Sequence, residues 1–104
     1  MTKRRVVITG MGAVTPCGIG VKNFWNSMIE GKSGVSTIEK MNLEGHTVTI
    51  AAEIKDKDFN PDDYINPKEA KRMDRFTQFA VVAADEAIAD SGIDEANIDP
   101  YRID

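Results

Sequence analysis

The chain has one thiol, Cys17, and one imidazole, His46, and that pair could in principle supply a nucleophile and its base. A catalytic thiol needs a helix N-terminus or a partnered histidine to become a thiolate. Cys17 lies between Pro16 and the run Gly18-Ile19-Gly20, so it leads into a loop rather than a helix. His46 falls at the edge of an expected strand, and nothing in the spacing brings it to Cys17. Cys17 therefore reads as a small loop residue packed against the core, not as the nucleophile. A lone histidine also makes no zinc site, which takes three or four ligands. Asp56, Asp58, Asp62 and Asp63 read as solvated loop charges, so the sequence offers neither a catalytic nor a metal-ligating constellation.

A second chemistry to test is phosphate binding. Gly10-Met11-Gly12 follows the β-branched run Val6-Val7-Ile8-Thr9 and precedes a helix, as a dinucleotide-binding loop would. The third glycine of that fingerprint belongs at position 15, which is Thr15. A start at Gly18-Ile19-Gly20 places Asn23 there instead. Gly31-Lys32-Ser33 has Asn26 where a phosphate-binding P-loop needs its first glycine. The first helix also begins about a turn or more too late to aim its N-terminus at a pyrophosphate held by Gly10 and Gly12. No nucleotide cofactor is expected.

Lys68, Lys71, Arg72 and Arg75 carry the third pattern, at i, i+3, i+4 and i+7. On a helix they span an arc of only about 100°. Four like charges near a helix N-terminus repel one another and oppose the dipole, and Glu69 and Asp74 offset part of that. Charge runs are usually plain solvated surface, and the pattern alone favours that reading. The functional alternative is an electrostatic dock for an acidic protein, where complementarity mainly raises the encounter rate.

These residues depend on a strand–helix–strand–helix order. Lys3 to Thr9 reads as a first strand, apolar at consecutive positions and so expected to be buried on both faces. Gly10 to Gly20 reads as a loop. Val21, Phe24, Trp25, Met28 and Ile29 then mark one face of a helix that Gly31 stops, and Phe24 and Trp25 read as core. Ser36 to Gly45 reads as irregular. Thr47 to Ile54 reads as a second strand, with Val48, Ile50, Ala52 and Ile54 on its covered face. Asn66 as cap, Pro67 at the first position and Glu69 at the third open a long helix that runs to Ser91, with a break near Arg72 allowed and a stop at Gly92. Its segment from Phe76 to Ala84 is apolar nearly all round, as in a helix enclosed by a larger protein. Two strands cannot cover such a helix. The order is the opening of an α/β layered fold.

Composition narrows the classes. With 104 residues, 41% hydrophobic and 29% charged, this is ordinary globular material rather than a disordered chain. The net charge is −4. Residues 1–75 hold 12 Lys/Arg against 10 Asp/Glu, and residues 76–104 hold one against seven. An acidic total argues against general nucleic-acid binding, which needs surplus cations. No apolar run approaches the roughly 18 residues of a membrane span, and Val6 to Thr9 is too short for a signal-peptide core. One cysteine permits no internal disulfide. A cytoplasmic protein is expected.

Several segments together resemble the β-ketoacyl-[acyl-carrier-protein] synthases, the condensing enzymes of fatty-acid synthesis. Arg4-Arg5-Val6-Val7-Ile8-Thr9-Gly10-Met11-Gly12 with Thr15-Pro16 and Gly18 resembles the family's first strand and loop. Phe24-Trp25 through Gly31-Lys32-Ser33-Gly34-Val35 is similar to its first helix and glycine stop. Lys71-Arg72-Met73-Asp74-Arg75-Phe76 and Asp90-Ser91-Gly92 resemble its third marker.

The resemblance implies an α/β fold, the N-terminal part of a thiolase-like αβαβα layering that is incomplete on its own. Residues 1–104 would then be the N-terminal segment of the first thiolase-like half. It also implies a homodimer in the complete enzyme. The reaction would be decarboxylative condensation of an acyl thioester with malonyl-acyl-carrier-protein, using a cysteine and two histidines that lie beyond position 104. The chain alone would hold no catalytic residue and be inactive, with no cofactor and no metal. Acyl carrier protein is the implied partner, and the family's basic docking residues match Lys68, Lys71 and Arg72. That match reverses the preference for plain solvated surface. A polyketide ketosynthase, its chain-length partner, or a non-catalytic carrier-protein-binding module are the alternatives.

Overall fold

The computed structural model describes residues 3–94 and 96–102. Two short antiparallel ribbons and three helices follow one another along the chain. Strands β1 (Val14–Thr15) and β2 (Gly18–Ile19) pair as a hairpin, with Val14 opposite Ile19. Helix α1 (Val21–Glu30) follows at once. Strands β3 (Val35–Thr37) and β4 (Ile50–Ala52) form the second ribbon, with Ser36 opposite Ala51. Helix α2 (Pro67–Ala70) and helix α3 (Arg75–Ser91) complete the set, with short 3-10 turns at Pro61–Asp63 and Pro100–Arg102.

The locally encoded features form as expected. Asn66 caps α2 by accepting the Lys68 N–H at 3.0 Å, and Pro67 takes the first position, where no N–H is needed. Gly31 and Gly92 end α1 and α3 at φ of 70° and 68°, left-handed values that residues bearing a Cβ adopt only with strain. The long helix does break, over residues 71–74. There Arg72 and Met73 donate to the Glu69 and Ala70 carbonyls in tight turns, and Asp74 is extended at ψ 159°.

Three expectations fail, each because a covering layer is absent. Val6, Val7 and Ile8 form no ladder and are 91%, 66% and 83% exposed, although the sequence reads as a strand buried on both faces. A buried strand needs neighbours on its edges and layers on its faces, and no described residue supplies them. The second expected strand is reduced to β4, and of its expected covered face Val48, Ile50 and Ala52 are exposed, while Ile54 is half-buried against the core and the intervening Ala51 is half-buried too. The apolar stripe of α1 is open along much of its length, with Trp25, Met28 and Ile29 exposed and Val21 and Phe24 half-buried. The Gly10–Gly20 segment holds the β1–β2 hairpin instead of an unstructured loop, and β3 opens the stretch read as irregular.

The core is correspondingly thin. Among the described residues Phe59, Ile65, Ala70 and Val82 are buried, with Val14, Ile19, Ile54, Met73, Phe79 and Val81 packed around them. The accessible surface is 8714 Å², where a self-contained folded chain of this mass exposes about 5,800 Å². The radius of gyration is 17.8 Å, against about 13 Å for a compact domain of this length. Phe76, inside the all-round apolar part of α3, is 71% exposed. Expressed alone, the chain is expected to aggregate or to unfold without cooperativity. Urea titration followed by circular dichroism and sedimentation checks this, and a sharp reversible transition of a monomer would contradict it.

Candidate functional site

The basic segment is displayed on a rigid corner. Ala70, 4% exposed, anchors the end of α2 in the core, and its carbonyl accepts a hydrogen bond from Gln78 Nε2 at 3.1 Å. Lys68 lies in the only turn of α2, and Lys71 closes that turn in right-handed helical geometry at φ −63° and ψ −21°. They are therefore about one turn apart on the same face. Arg72 follows in the tight turn. All three side chains are exposed, and among the described residues none has a carboxylate within 4.0 Å.

Arg75, the fourth cation of the pattern, leaves this group. It begins α3, on the far side of the 71–74 break, and its side chain turns inward. One guanidinium nitrogen donates to the Ile54 carbonyl at 2.8 Å, and the other sits 3.2 Å from Asp56 Oδ1. The guanidinium lies 5.5 Å from the centre of the Phe59 ring and 5.0 Å from that of Phe79, within cation–π range. Lys40 donates to the same Asp56 oxygen at 3.1 Å. That hydrogen bond, with the Lys40 and Arg75 charges, holds the Asp56 carboxyl below the usual aspartate range. The continuous stripe expected from an unbroken helix is thus a group of three, Lys68, Lys71 and Arg72, with Arg75 withdrawn.

Cys17 occupies the turn of the β1–β2 hairpin and is half-buried. Its N–H donates to Thr15 Oγ1 at 3.2 Å, its carbonyl accepts from Ser27 Oγ at 2.5 Å, and its Sγ faces the Lys32 carbonyl at 3.9 Å. An open hollow of about 390 Å³ beside it is lined by Asn23, Asp58 and Tyr64 among others, with no imidazole or amine. His46 is exposed. No cluster of three or more His, Cys, Asp or Glu side chains stands ready for a metal among the described residues.

The glycine loop does bind carboxylates, and they come from the chain itself. Asp90 on α3 accepts the Met11 N–H at 3.1 Å, and Glu86, one turn earlier, accepts the Ala13 N–H at 2.9 Å. Glu86 also accepts the Val21 N–H, at 3.0 and 3.3 Å to its two oxygens. It so caps α1, whose own cap residue Gly20 makes no side-chain bond. A Cβ on Gly12 would overlap the Ala83 carbonyl, and one on Gly10 the Ala87 carbonyl, so both glycines let the loop lie against α3. Sequence reading missed Glu86 and Asp90. The available signal was the i, i+4 spacing of Glu86 and Asp90, which follow the apolar run 79–84 on the same helix.

Residues 3–103 match the family described as Beta-ketoacyl synthase, N-terminal domain. The chain belongs to this family. The 3-oxoacyl-[acyl-carrier-protein] synthase 2 of Staphylococcus aureus is 48% identical over 91 residues, covering 88% of this chain and 22% of that relative. Its counterpart in Synechocystis is 40% identical over 105 residues, covering 99% of this chain and 25% of that relative. Among solved structures, the ishigamide ketosynthase/chain length factor superposes with a TM-score of 0.76 at 35% identity, over 88% of this chain and 22% of that one. The family resemblance carried by the motifs is therefore correct, and the fold is that of the N-terminal part of a thiolase-like α/β protein. The chain spans about a quarter or less of the length of these relatives.

Proposed function

We propose that residues 1–104 form the N-terminal segment of the first thiolase-like half of a 3-oxoacyl-[acyl-carrier-protein] synthase. The complete enzyme is a cytoplasmic homodimer that condenses an acyl thioester with malonyl-acyl-carrier-protein, using a cysteine and two histidines outside this chain. The segment contributes core and part of the surface that receives acyl carrier protein, through Lys68, Lys71 and Arg72. The observation that carries this reading is the display of three exposed cations, unmatched by any described carboxylate, on a corner anchored by Ala70 and Gln78. An acidic carrier would meet them with complementary charge, which acts mainly on the encounter rate. The higher identity to fatty-acid synthases, 48% against 35% to the ketosynthase/chain length factor, favours fatty-acid over polyketide synthesis.

Charge reversal at Lys71 and Arg72 in the complete enzyme tests the dock. The Michaelis constant for the carrier-linked substrate is expected to rise about tenfold or more at low ionic strength, and its salt dependence to flatten. Unchanged kinetics at low salt would remove the docking assignment.

A further inference from the structure

We infer that Arg75 is a positioning residue for the docking corner and not one of its cations. The inference rests on the docking role of Lys68, Lys71 and Arg72. Lys71 and Arg72 hang between two ties to the body of the protein. One is Ala70, buried and held through its carbonyl by Gln78. The other is Arg75, whose guanidinium is fixed by the Ile54 carbonyl, the Asp56 carboxylate and the faces of Phe59 and Phe79. Phe59 is 2% exposed, so this tie is made to the most buried side chain described.

The chemistry of the tie is specific to arginine. A planar guanidinium can donate in two directions while lying over aromatic rings, whereas an ammonium is a compact charge that wants water. A cation at the first position of α3 also opposes the helix dipole, so the dipole gives no reason for its placement. Asp56 belongs to this arrangement: its carboxylate joins Arg75 to Lys40, beyond the end of β3. With the tie cut, the start of α3 is free to shift, and Lys71 and Arg72 move with it.

A charge-only role and a positioning role predict opposite signs. In the complete synthase, Arg75→Lys keeps the charge and is expected to raise the Michaelis constant for carrier-linked substrate by about three- to tenfold, as much as Arg75→Gln does. The turnover number is expected to stay within about twofold of the parent. Asp56→Asn removes a negative charge near the dock, so simple electrostatics would improve the binding of an acidic partner. The positioning role predicts the reverse, a Michaelis constant raised by about threefold or more. Activity on an acyl thioester of a small thiol, which needs no carrier dock, serves as the control for folding and is expected to be retained.

Three results would overturn the inference: wild-type behaviour of Arg75→Lys, a lowered Michaelis constant for Asp56→Asn, or parallel loss of small-thiol activity in every Arg75 variant. The charge reversal at Lys71 and Arg72 separates this from failure of the dock itself. If that reversal acts and Arg75→Lys is silent, only the inference falls. If the reversal is silent, both fall.

Discussion

Gly12→Ala in the complete synthase is expected to lower stability by about 3 kcal/mol or more, at the upper end of what overpacking costs. The added Cβ would overlap the Ala83 carbonyl on α3. A methyl group has no rotamer to escape into, and the obstacle is helix backbone, not the end of a flexible side chain. The loop must therefore lift off α3, and lifting it stretches the Met11–Asp90 and Ala13–Glu86 hydrogen bonds as well. Gly31→Ala supplies the comparison. It meets nothing within 4 Å and carries only the penalty of a left-handed backbone at φ 70°, worth about 1 kcal/mol. Thermal scans of the two variants should show Gly12→Ala falling several times further. Equal losses would mean that the approach of the loop to α3 does not constrain residue 12.

The contrast between these glycines shows which parts of the structure the sequence carries openly. Gly31 and Gly92 act through their own backbone angles, and a glycine after a run of helical periodicity announces that role. Asn66 and Pro67 act within three residues of themselves, so the start of α2 was equally legible. Gly10 and Gly12 act through a helix more than 70 residues away, and their pattern, which fails as a phosphate loop at Thr15, left that role unread. The loop nevertheless presents two backbone N–H groups, of Met11 and Ala13, to carboxylates. Only distance in the chain hid that the anions are Asp90 and Glu86.

Longer-range features were illegible for a related reason. The consecutive apolar residues Val6, Val7 and Ile8 read as a strand meant for burial, yet they form no ladder and stand exposed, because no described residue pairs with or covers them. Periodicity reports what a segment needs and is silent on whether the same 104 residues provide it. The charged stripe failed differently. Lys68, Lys71, Arg72 and Arg75 share one face only on an unbroken helix, and the break at 71–74 is held by Gln78 reaching Ala70 and Arg75 reaching Ile54. Neither contact leaves a local signature. Three of the four cations keep the exposure a dock requires, and the fourth is consumed by the fold.

Glu86→Ala is expected to cost about 2–4 kcal/mol, because it leaves the Ala13 and Val21 N–H groups without the acceptor that serves both. The side chain reaches α1 from 65 residues further along the chain, and Gly20 makes no side-chain bond that could substitute. Glu86→Gln should cost less, about 1–2 kcal/mol, since one oxygen still accepts but the charge at the helix N-terminus is gone. Amide hydrogen exchange in the complete synthase gives the sharper reading. The Ala13 and Val21 amides should lose protection in Glu86→Ala, while the amide of Lys68, capped locally by Asn66, should not change. Pairing the substitution with Gly12→Ala then tests the coupling directly. Lifting the loop already weakens the Ala13–Glu86 bond, so the double variant should fall short of the sum by about 1 kcal/mol. Strict additivity would show that the loop position and the Glu86 bond are not coupled, and unchanged protection at Ala13 and Val21 would show that Glu86 does not hold those amides.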